Sequence, residues 1–182
     1  MRRILLTLAV MPALLFCLRA QAPSKAPAPV QPATPTMQIQ SDLLQLMRGI
    51  LYPASNVVFS AQSDNPGEVK FIPGKDPSMA TDPLVSTFGG WQAVENASLA
   101  LAESANLLLL PGRTCSNGVP VPLDNPDWLK FVQELRDAGM KAYKAAHAKN
   151  QDAMIEVSET MTSACGNCHR KWREKRPADR CK

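Results

Sequence analysis

Cys165-Gly166-Asn167-Cys168-His169 sets two thiols three positions apart and an imidazole directly after the second. On a helix, positions three and four apart share a face, so all three groups can address one ligand. Three chemistries use such a pair of thiols. A redox-active dithiol should follow a strand in a βαβ pattern, and the chain has no such pattern. A four-ligand zinc site needs a second pair, but Cys115 and Cys181 are single and His147 is the only other histidine. C-x-x-C-H is also the attachment signature of c-type haem. There the two thiols reach the two vinyl groups of one porphyrin, and the histidine nitrogen binds the iron. The expectation is one haem c, covalently held by Cys165 and Cys168, with His169 as proximal ligand.

The elements that must position these groups read as helices. The chain has 182 residues, 45% apolar, 20% charged and only 5% aromatic, which suits one globular domain and disfavours an all-β fold. Leu43, Leu46, Met47, Ile50, Ala54, Val57 and Val58 form a first helical stripe, with Pro53 predicting a kink near Gly49–Pro53. A long loop over 61–83 follows. A second helix is expected from Pro83 to Leu110, carrying Trp91, Val94, Leu101 and Leu108 inward. Asn125-Pro126 is a strong helix start, an N-cap residue before a proline at the first helical position. That third helix should bury Trp128, Phe131, Leu135, Ala138, Ala142 and Ala145. A fourth, from about Gln151, turns Met154, Val157, Met161, Cys165, Cys168 and Trp172 to one side. Four helices with one apolar stripe each are most simply buried together as an all-α, up-down-up-down four-helix bundle.

Residues 1–22 read as a secretory signal peptide: Arg2 and Arg3, an apolar run from Ile4 to Leu18, then Ala20-Gln21-Ala22 as the cleavage region. Residues 23–36 read as a Pro/Ala-rich linker and 37–182 as the folded domain. The mature chain is then expected in the periplasm, where disulfides persist, with no stable membrane span once the leader is removed. Removing the leader takes Cys17 with it. Haem uses Cys165 and Cys168, so Cys115 and Cys181 are left to pair. They follow the second and fourth helices, whose ends lie at the same end of such a bundle. Without Arg2, Arg3 and Arg19 the chain carries 17 basic against 16 acidic residues, yet residues 170–182 alone are net +5. That dipole argues against a nucleic-acid binder and suits the steering of an acidic redox partner. No Ser/His/Asp arrangement, paired carboxylates or phosphate loop stands out, so a carrier is expected rather than an enzyme.

The motif sits near the C-terminus, on the last of four helices, and continues as Arg170-Lys171-Trp172-Arg173. A C-x-x-C-H-x-x-aromatic-Arg ending resembles the class II c-type cytochromes, the cytochrome c-prime type. The resemblance implies Cys165 and Cys168 as thioether sites and His169 as proximal ligand, and leaves a homodimer open. Members of that family either leave the distal iron face open to nitric oxide or carbon monoxide, or fill it with a methionine from the first helix and carry electrons. Met47, on the first-helix stripe, is the candidate distal ligand. Its alternative role is to fill the core, as methionines often do. His147, near a helix end, is expected to face solvent. The reading is a monohaem electron carrier; the alternative is a gas-binding haem protein of the same fold.

Overall fold

In a computed structural model the described residues are 36–70, 74–174 and 181. The leader, nearly all of the linker and most of the basic tail lie outside them. A compact unit begins at Met37, and its elements are helical. Helix α1 has three consecutive pieces: Leu43–Leu46, a π-helical turn Met47–Leu51, and Tyr52–Ser63. Helices α2 (Trp91–Leu107), α3 (Pro126–His147) and α4 (Gln151–Cys168) follow, and α4 continues into a second π-helical turn, His169–Arg173. Among the described residues there is no strand, only an isolated bridge between Thr114 and Pro120. Helix α1 packs on α2 and α4, and α3 packs on the same two, so four helices enclose one core.

Three of the four helix starts have a local cause. Asp42 accepts from Gln45 N (2.8 Å) while its own N–H donates to Gln45 Oε1 (3.0 Å), a complete capping box. Asn125 caps α3 through Asp127 N (3.0 Å), and Asn150 caps α4 through Ala153 N (3.0 Å). Each such cap is worth about 1 kcal/mol. Helix α2 begins later than its sequence suggests. Pro83–Val85 forms only a 3-10 turn, and the α-helix waits for Gly90, which sits at φ 60°. A Cβ there would lie 2.9 Å from the Pro66 carbonyl oxygen, so the glycine is required by space as well as by dihedral.

Pro53 makes itself felt as the π turn just before it. Tyr52 N–H bonds back to Met47 O, five residues away, which inserts one extra residue into the helix. The consequence corrects the expected stripe: Ile50 is 38% exposed, and Leu51 takes the buried place. The same turn straightens a second stripe. Leu43, Met47, Leu51, Ser55 and Phe59, each four apart, all face one cavity. At about 3.6 residues per turn that row would wind round an ordinary helix, and the extra residue removes most of the drift. In α3 the buried residue is Val132, while Phe131 is only half-buried and lines the cavity.

Helices α2 and α3 meet through small residues. A Cβ at Gly139 would lie 2.9 Å from Ala102 N and 3.0 Å from Ser98 O. Ser98 is fully buried and donates to Val94 O within its own helix (2.7 Å). The ends of α1 and α2 are tied by Arg113, which is 4% exposed. Its Nε donates to Leu107 O (3.0 Å) and its Nη1 to Ser41 O (2.6 Å).

Candidate functional site

Cys165, Cys168 and His169 emerge from the end of α4 into one cavity of about 730 Å³. Small-molecule and cofactor sites span about 300–1,000 Å³. The stripe of α4 divides along its length. Met154, Val157 and Met161 are buried in the core, whereas Cys165, Cys168 and Trp172 are half-buried and reach the cavity. Met47 lines the same cavity from α1, a different helix from the one that carries His169. The four residues singled out by sequence therefore share one enclosure. Met37 is 76% exposed on the chain before α1. His147 is exposed, with Nδ1 3.6 Å from Glu95 Oε2 and its ring stacked on Tyr143.

The rest of the wall is mainly apolar and was not legible from the motif. Leu101 comes from α2 and Trp128, Phe131 and Val132 from α3. Trp128 is 1% exposed, donates from Nε1 to Leu108 O (3.2 Å), and meets Trp172 edge-on at 5.9 Å between ring centroids. That pair braces the wall beside the thiols. Lys171 lies beside Trp172, 5.5 Å from the ring centroid, and is ion-paired to Asp127 at the start of α3. Arg48 and Arg173 are the cations on the lining.

Inside the motif, Asn167 Nδ2 donates to Glu134 Oε2 of α3 (2.8 Å). Arg170 donates in turn to Asn167 Oδ1. This contact ties the motif stretch of α4 to α3. Sequence spacing gave no signal for Glu134, because its partner lies 33 residues away.

Burial also sets the protonation of the three motif groups. It pushes the Cys165 thiol up. Cys168 is pushed up to about 12, by burial first and then by Cys165 and Glu134 beside it. His169 is held below the usual histidine value, by burial first and then by the charge of Arg173, with Glu174 acting the other way. The cavity thus offers two neutral thiols and a neutral imidazole, the form in which histidine binds a metal.

Cys115 and Cys181 form a disulfide with Cα atoms 5.0 Å apart. Cys115 is buried in the core, whereas Cys181 is part of the cavity wall. The backbone N–H of Cys181 donates to Trp172 O (3.2 Å), which seats it beside the π turn that follows the motif. The donor set and the apolar enclosure fit a flat, apolar, iron-bearing macrocycle: two thiols on one face, a neutral imidazole next to them and a thioether on a facing helix. Among the described residues no three His, Cys, Asp or Glu side chains cluster as a metal site of protein ligands alone. No helix among them is long and apolar enough to cross a membrane. Compared with known proteins, the chain matches no family model, no curated protein and no solved structure.

Proposed function

We propose that this chain is a monohaem c-type cytochrome of the class II, cytochrome c-prime type, an up-down-up-down bundle that carries single electrons. The observation that carries the reading is the shared cavity: Cys165, Cys168 and His169 of a C-x-x-C-H motif, with Met47 in the same apolar wall. Haem bound there would supply a one-electron ferric/ferrous couple. Cys165 and Cys168 would hold the group through two thioethers, each S–H adding across one vinyl, sulfur to one carbon and hydrogen to the other. His169 would bind the iron as a neutral imidazole, and Met47 would supply a thioether from a different helix. That ligand pair would raise the reduction potential relative to histidine with an open site. Leu43 and Leu51, one turn either side of Met47, exclude water, while Arg48 and Arg173 suit carboxylates at the cofactor's edge.

The setting follows from the leader: export to the periplasm and transfer to a partner whose acidic surface complements the basic residues around 170–182. The same neighbours of Met47 favour the second reading. With methionine off the iron, Leu43 and Leu51 leave an apolar distal pocket suited to nitric oxide or carbon monoxide. One sample tests both. Full-length chain made with haem-attachment machinery should gain one haem in mass and show a low-spin spectrum in both oxidation states. A high-spin ferrous spectrum with ready carbon monoxide binding selects the gas-binding reading. No added mass rejects haem altogether.

A further inference from the structure

Three of the four cysteines left after removal of the leader, Cys165, Cys168 and Cys181, face the same cavity, and only two of them are needed to hold haem. The bridge to Cys115 is what takes the third out of circulation. We infer that the Cys115–Cys181 disulfide guards the attachment site, by keeping Cys181 from pairing with Cys165 or Cys168 before haem arrives. The inference rests on the haem reading above and adds a role for a residue outside the motif.

The geometry supports competition rather than mere proximity. Cys181 is bonded through its N–H to Trp172 O at 3.2 Å. Trp172 is four residues beyond Cys168 on the π-helical turn that continues α4. A freed Cys181 therefore stays on the cavity wall that also carries Cys165 and Cys168, seated just past Trp172. In an oxidising compartment such a thiol exchanges with any disulfide oxidant. Each of the two protein thiols donates its proton, the pair forms one S–S bond, and the oxidant leaves as two thiols. A Cys165 or Cys168 sulfur caught in that bond has no S–H to add to a vinyl group. Cys115 poses no such hazard. It is 1% exposed and buried with the core, where its N–H bonds to Val119 O at 2.8 Å.

The two partners of the bridge are therefore unequal, and that inequality is the test. Cys115→Ala and Cys181→Ala remove the same disulfide and whatever stability it brings. Only Cys115→Ala leaves a thiol in the cavity. Full-length chains of both variants are made with haem-attachment machinery, and attached haem is read by mass. Cys115→Ala should lose most of its haem, whereas Cys181→Ala and the double variant should keep a content close to each other and well above it. Thermal melts of the two single variants should coincide, which separates guarding from support.

A second arm needs no haem. Haem-free Cys115→Ala chain is incubated with oxidised glutathione and digested with trypsin, which cuts after Arg170 and Arg180. The Cys181-Lys182 fragment should appear joined to the fragment that holds Cys165 and Cys168. Equal haem content in the two single variants overturns the proposal, as does a map in which Cys181 never joins that fragment. If even the unmodified chain takes up no haem, the haem reading fails, and the glutathione map still decides whether Cys181 competes for the motif thiols.

Discussion

The seam between α2 and α3 and the cavity to which all four helices contribute are built on opposite plans from one sheath of helices. In the seam, Gly139, Ser98 and Ala102 let two backbones touch, and no larger side chain fits between them. Around the cavity, Met47, Phe131, Trp128 and Trp172 hold the walls apart, and about 730 Å³ is left open. The seam gains dispersion and burial from contact. The cavity forgoes that gain, and only a group placed inside it restores the missing neighbours. The contrast teaches where this chain carries its rigidity and where it leaves room for chemistry.

The change expected to do most damage strikes the cavity wall where α3 meets the end of α2. Trp128 is fully buried, bonded to Leu108 O and packed edge-on against Trp172. Trp128→Ala should cost about 3–5 kcal/mol, read as a lower urea midpoint. A loss below about 1 kcal/mol would mean that the cavity wall carries little of the fold. Gly139→Ala comes next. Its new methyl would press on the backbone of α2 at Ala102 N and Ser98 O, and about 1–3 kcal/mol should be lost. Haem spectra should stay unchanged in that variant, since the seam is not the cavity. Met47→Ala reverses the pattern. Met47 is only half-buried, so haem-free stability should change by about 1 kcal/mol or less. The haem-loaded protein should turn from low-spin to high-spin and begin to bind carbon monoxide. An unchanged spectrum would remove Met47 from the iron and end the electron-carrier ligation proposed here.

What was legible in the sequence was mostly local. The cap and proline at Asn125-Pro126 are adjacent, and α3 starts there, while α4 starts at the expected Gln151. The pairing of Cys115 with Cys181 followed from counting thiols, and the two are bridged. The start of α2 was misread. Pro83 has the form of a first helical residue, but Gly90 and its close approach to Pro66 decide the matter through tertiary contact. The π turn at Met47–Leu51 was invisible as well, because periodicity counts residues and cannot see which carbonyl an N–H selects. Ile50 and Leu51 exchange places for that reason. The motif named the cavity residues at the end of α4, Cys165, Cys168 and His169. The remaining walls come from α1, α2 and α3, and no short-range pattern assembles them.

A helix interior is ordinarily the worst place to gain or lose a single residue, since each one rotates everything before it by about 100°. The π turn of α1 is a place where the chain already holds one residue more than an α-helix needs. Deleting one position between Arg48 and Ile50 would let that stretch close as plain α-helix while Leu43 on one side and Phe59 on the other keep their phase. Only the backbone beside Met47 would change. The wall of the site thus contains a length variable, separate from the identity of any side chain, through which insertion and deletion can reshape the neighbourhood of Met47 and leave the bundle in place.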